Sequence, residues 1–133
     1  MRYLLAFYGD ETQWDDASPA ETQAGIDAFW RFEAELMEAG VHVACDGLDA
    51  SASAKTIEIR GGGEKLVTDG PFAETKEQLG GITLLECDTL DEAMEWARKV
   101  PLGEGWTIEV RPVTDYGSPP EGHPAGTAEA AAS

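Results

Sequence analysis

The run Thr68-Asp69-Gly70-Pro71-Phe72-Ala73-Glu74-Thr75-Lys76-Glu77-Gln78-Leu79-Gly80-Gly81 constrains this chain more than any other stretch. Asp-Gly-Pro cannot lie inside a regular element. Pro71 has no amide donor and pushes Gly70 out of the helical region. Gly70 reaches backbone angles closed to other residues. Asp69 can accept hydrogen bonds from the following amides in an Asx-type turn. The chain therefore stops extending at Asp69 and changes direction, with Phe72 free to anchor the loop. Gly80-Gly81 then opens the next strand and allows two backbones to approach closely.

The flanking segments predict the elements. Tyr3 to Tyr8 is a continuous apolar run ended by Gly9-Asp10, the pattern of a central strand covered on both faces. Asp10 to Ala17 is a polar loop whose acidic residues lack calcium-loop spacing, so no metal site is expected there. Ser18-Pro19-Ala20-Glu21 is a helix start with a cap, a proline at the first helical position and a capping-box glutamate. That helix should run to about Glu38 and stop at Gly40. Ile26, Phe29, Trp30, Glu33, Leu36 and Met37 follow helical spacing; all but Glu33 are apolar, and the stripe reads as core.

Val41 to Leu48 reads as the second strand, with His42 on the opposite face from Val41, Val43 and Cys45. Lys55 to Arg60 alternates, Gly61-Gly62-Gly63 turns, and Glu64 to Asp69 returns, which makes an inserted β-hairpin. Gly81 to Cys87 is a further two-faced strand. Thr89 to Glu92 is a second capping box, and Leu90, Ala93, Met94, Ala97 and Val100 form the stripe of a second helix ended by Pro101. Thr107 to Val113 is the last strand, with Ile108 and Val110 on one face and Glu109 and Arg111 on the other. Residues 1–116 form the expected domain. From Gly117 to Ser133 the chain is rich in Pro, Ala and small polar residues and is expected to be a disordered tail.

Charge narrows the partners. Among 133 residues, 26 acidic against 9 basic give a formal net charge of -17. Direct contact with nucleic acid or an anionic membrane requires basic patches, so neither is expected. Cys45 and Cys87 form no CxxC pair and no zinc-spaced cluster, which suits free thiols in a reducing cytoplasm. The apolar run at the start is too short for a signal peptide or membrane span, and the expected location is cytoplasmic. No GxGxxG, P-loop or HExxH motif is present, and no cofactor is expected.

The stretch DGPF, continued as AETKEQLGG, resembles the signature of the DGPF domain proteins, a branch of the YCII-related family. RYLLAFYGD from Arg2, GVHVACDGL from Gly40 and EVRPV from Glu109 fit the same family in the same order. The resemblance implies a small α+β fold and a homodimer, with no settled activity. It also implies a dyad that pairs an Asp with a His carried on the first helix. No His lies between Ser18 and Gly40, so this chain departs from that pattern.

The order strand, helix, strand, inserted hairpin, strand, helix, strand is the β-α-β-β-α-β pattern of a ferredoxin-like α+β fold. Both helices should cover one face of an antiparallel sheet. Two-faced apolar strands leave the other face in need of cover, which two facing sheets supply as a dimeric α+β barrel. Two functions fit. One is a small-molecule-binding protein or lyase-type enzyme with a cleft near the signature loop, in which Asp69 is the acid/base and Tyr8, His42, Phe72, Lys76, Glu109 and Arg111 contact the ligand. In the bland alternative Asp69 only fixes the turn, and Glu109 and Arg111 form a surface ion pair. The other function is a regulatory module that binds a partner protein. Family resemblance implies an extracytoplasmic-function sigma factor as that partner.

Overall fold

The apolar run near the start becomes β1 (Arg2–Gly9), and the sheet is built around it. The computed structural model describes residues 1–125. After β1 come α1 (Pro19–Glu38), β2 (His42–Gly47), β3 (Lys55–Ile59), β4 (Lys65–Asp69), β5 (Gln78–Glu86), α2 (Leu90–Arg98) and β6 (Thr107–Pro112). This is a mixed α+β chain. β1 pairs antiparallel with both β5 and β6, and β2 pairs antiparallel with β5, in the order β2-β5-β1-β6. β3 and β4 form a separate two-stranded sheet, the expected hairpin, with Ile57 opposite Val67.

Both helices start as the sequence demands. Ser18 Oγ accepts from the Glu21 amide at 3.1 Å, and Thr89 Oγ1 accepts from the Glu92 amide at 3.2 Å. These hydroxyls satisfy amides that lack a partner inside the helix. α1 gives way to Gly40 with φ +75, an angle that favours glycine.

The core lies on one face of the sheet. Leu5 and Phe7 of β1 and Leu85 of β5 meet Phe32 and Leu36 of α1, together with Ala97 of α2 and Val100 just past its end. Tyr3, Cys87 and Ala93 extend it. The other face carries Leu4, Ala6 and Tyr8 of β1, opposite Leu84, Ile82 and Leu79 of β5 and Arg111, Glu109 and Thr107 of β6. No helix among the described residues covers this face. No helix among them is long and apolar enough to cross a membrane.

Two details differ from expectation. The α1 stripe is only partly core: Leu36 is buried, but Ile26, Trp30 and Met37 are 46%, 66% and 56% exposed, while Phe32 supplies the missing buried contact. The sheet takes only the Phe32 and Leu36 face of α1, and Ile26 and Trp30 border a cleft instead. β5 also begins earlier than Gly81, at Gln78, and the glycine pair lies inside it. Of the tail expected from Gly117, residues 117–125 are exposed apart from a partly covered Pro119, and residues 126–133 lie outside the described residues.

Candidate functional site

The space beside α1 from Thr22 to Glu33 is a cleft of about 430 Å³. Thr22, Gly25, Ile26, Phe29, Trp30 and Glu33 of α1 form one wall. Phe7 of β1, Cys45 to Gly47 of β2 and Gly80-Gly81 of β5 form the floor, and Trp14, Leu102 and Trp106 close the rim. The wall is mainly aromatic and aliphatic with a few polar groups, the usual make-up of a small-molecule site.

Glycines keep this floor low. A Cβ on Gly80 would stand 3.0 Å from the Trp106 ring, and one on Gly9 would fall inside it, so the indole lies flat against both backbones. A Cβ on Gly81 would meet Asp46 O at 3.1 Å and Phe7 Cδ2 at 3.2 Å. The close backbone approach expected of Gly80-Gly81 is thus realised against β2. The extra residue in β5 is accommodated by a register shift between Phe7 and Tyr8 of β1.

The rim is built by the acidic loop after β1. Asp10 accepts from the Thr12 amide at 3.0 Å and from its hydroxyl at 2.6 Å, which shapes a single 3₁₀ turn over Glu11–Trp14. Those same bonds, the hydroxyl's first, hold the Asp10 carboxyl below its ordinary pKa. The turn lays Trp14 beside Gly25, whose Cβ position is 3.4 Å from the ring. Glu11 accepts from the Ser51 amide at 2.9 Å and its hydroxyl at 2.5 Å, tying the loop ahead of β3 to the rim.

The ionisable centre is a carboxylate–imidazole pair. Glu33 Oε2 lies 3.1 Å from His42 Nε2, and the two side chains are only 17% and 19% exposed. The sequence pattern places His42 away from Cys45. A register shift between His42 and Ala44 in the β2–β5 pairing overturns that expectation and turns His42 to the helix side. The imidazole therefore stands behind Glu33, and Glu33 faces the cleft. A carboxylate so placed can take a proton from a bound molecule and exchange it with the imidazole. Cys45 Sγ lies 3.4 Å from Thr83 Oγ1. Burial raises the Cys45 thiol above its ordinary pKa, and the charges of Glu33 and Asp46 push it the same way. Thiolate chemistry is disfavoured there at neutral pH.

The structure distributes the sequence-predicted residues over three places. His42 alone comes near the cleft, behind Glu33 and without lining it. Tyr8, Glu109 and Arg111 lie on the face away from the helices, where Arg111 donates to Glu109 at 2.7 Å. Asp69, Phe72 and Lys76 sit on the exposed loop. The Asp69 carboxylate is 90% exposed and 3.3 Å from Lys55 Nζ. The turn beside it is held by Gly70 N donating to Ala54 O at 2.6 Å and by Thr56 Oγ1 donating to Gly70 O at 2.8 Å. Phe72 is 89% exposed and anchors nothing. Sequence reasoning missed Glu33 as a site residue, although it is the one charged member of an apolar stripe. Trp14 and Trp106 gave no periodic signal, because each sits in an irregular segment.

Comparison with known proteins follows the same outline. The model of the YCII-related domain matches residues 1–116. An uncharacterized protein of Rhizobium meliloti (strain 1021) is 36% identical over 118 residues, covering 87% of this chain and 94% of that protein. On that match over most of its length, the chain belongs to the YCII-related domain family.

Proposed function

We propose that this protein binds a small, largely apolar molecule in the α1 cleft, with Glu33 as the acid/base group that faces it and His42 as the group that positions Glu33. One observation carries this reading: the shielded Glu33–His42 contact of 3.1 Å stands at a cavity lined mainly by aromatic and aliphatic groups. Paired titratable groups in a cleft are a recurring mark of function. The family pattern pairs a helix-borne His with an Asp; here the carboxylate is on the helix and the imidazole on the strand. The test uses the neutral fluorescent probe N-phenyl-1-naphthylamine. Its emission should rise on mixing with the protein, and Gly25→Leu, which fills the cleft from α1, should abolish the rise without lowering the melting temperature. An undiminished signal in Gly25→Leu would place the probe elsewhere and end the proposal.

The strand order β2-β5-β1-β6 supports the ferredoxin-like reading, since it sets the two outer strands on either side of a central antiparallel pair. Dimerisation through the uncovered face is proposed with it. Leu4, Tyr8, Ile82 and Leu84 are only partly exposed there and form an apolar field next to Glu109 and Arg111. An obligate interface of this kind buries about 2,000 Å² or more in total. Light scattering should report a dimer, and Leu84→Glu a monomer. A monomeric parent at micromolar concentration refutes the interface.

A further inference from the structure

The charge of the cleft narrows the class of molecule it takes. Trp14, Trp30 and Trp106 present indole surface to it, and Glu33 is its acid; Asp46, paired with Ile82, reaches the floor through its backbone. Among the described residues no Lys, Arg or His lines it. The Glu33 carboxylate is largely withdrawn from water, and its one partner is the imidazole behind it. Indole faces attract cations through the ring quadrupole, more strongly when both partners are desolvated. A buried carboxylate without a cation in front of it is costly, and a cationic ligand removes that cost. An anion meets the opposite situation: an acid, no basic group, and a chain with a formal net charge of -17.

We infer that the cleft is a site for an organic cation, a substituted or quaternary ammonium on a small apolar body, held against the tryptophan faces with Glu33 as its counter-ion. This inference rests on the reading that the cleft binds a small molecule, and adds the sign of the ligand's charge to it. Long-range attraction between such a ligand and the acidic chain also speeds encounter at low ionic strength.

Three probes of one shape separate the possibilities: phenyltrimethylammonium, its neutral isostere tert-butylbenzene, and the anion benzenesulfonate. Binding is followed by tryptophan fluorescence and by the indole N–H resonances of the intact chain. Phenyltrimethylammonium should bind about tenfold more tightly than tert-butylbenzene, in line with a cation–π contact on partly exposed rings plus an ion pair with Glu33. Benzenesulfonate should not bind. Glu33→Gln should bring cation and neutral isostere within about threefold of each other. Should Glu33→Gln fail to fold, Trp30→Leu serves instead, since Trp30 is 66% exposed and outside the core; it should weaken the cation more than the isostere. Equal affinity for the two, or a preference that survives Glu33→Gln or Trp30→Leu, overturns the inference and leaves the cleft as an apolar site. If neither compound perturbs the tryptophans of the parent, the inference and the binding reading fall together.

Discussion

α1 and α2 lie on the same face of the sheet and start at the same kind of hydroxyl cap, yet they do opposite things with the space beneath them. α2 is nine residues long and buries Ala93 and Ala97, so its backbone sits close to Tyr3 and the strands. α1 is twenty residues long and buries only Phe32 and Leu36. Phe29 packs partly on the core, and beyond it the helix stands off on large aromatic groups, with the cleft below. Small residues on a helix face permit close packing, whereas aromatic side chains splayed around a glycine hold two layers apart. The functional space in this protein is thus the part of a helix–sheet interface that was left unfilled.

The largest expected effect separates the two halves of α1. Leu36→Ala should cost about 2–5 kcal/mol, because a fully buried leucine leaves a cavity. Ile26→Ala should cost about 1 kcal/mol or less, since nearly half of that side chain already meets solvent. Urea melts of both variants decide this; equal losses would mean that the cleft is packed as core.

Filling the two interfaces should give opposite signs. Ala93→Leu forces extra volume into a fully buried position and should destabilise by about 1–3 kcal/mol. Gly25→Leu has room in the cleft and gains helix propensity, worth about 0.5–1 kcal/mol in the stabilising direction. If thermal melts show Gly25→Leu destabilised like Ala93→Leu, the cleft closes in solution.

The caps should not distinguish the helices at all. Ser18→Ala and Thr89→Ala should each cost about 1 kcal/mol in chemical denaturation. A loss at Thr89 alone would show that the first turn of α1, beside the cleft, frays without consequence.

How far the sequence revealed this arrangement follows from what each signal encodes. Caps, the Gly40 stop, the glycine-turned hairpin and the central position of β1 are local or periodic, and they are readable from Ser18-Pro19-Ala20-Glu21, Gly61 to Gly63 and Tyr3 to Tyr8. The cleft is not local. It depends on where α1 lifts from the sheet, on two register shifts, and on tryptophans in segments without period. His42 was visible as a strand histidine, but only the shift beside it brings it to Glu33. Asp69 drew attention because turn chemistry concentrates in its stretch, and there the carboxylate serves a surface pair with Lys55.

The smallest effect concerns the two thiols, one under each helix. Burial raises the pKa of both Cys45 and Cys87 above the ordinary thiol value. A folded-state pKa above the unfolded one stabilises below the unfolded pKa, about 8.5, and that contribution is lost as pH rises through the folded value. Melting temperatures between pH 8 and about 10.5 should therefore fall more steeply in the parent than in Cys45→Ala or Cys87→Ala. Glu33→Gln should soften the slope only when Cys45 is present, since Glu33 is among the causes at that thiol and not at Cys87.

The irregular pairing at Gly80 has an outcome that side-chain chemistry alone would not suggest. Tyr8 faces Leu79, and Phe7 faces Gly81, so Gly80 is passed over in the ladder. Were Gly80 to pair with Tyr8 in ordinary alternation, Leu79 would fall opposite Gly9 and swing to the helix side, beneath Trp106. The pocket would acquire a plug without a single substitution.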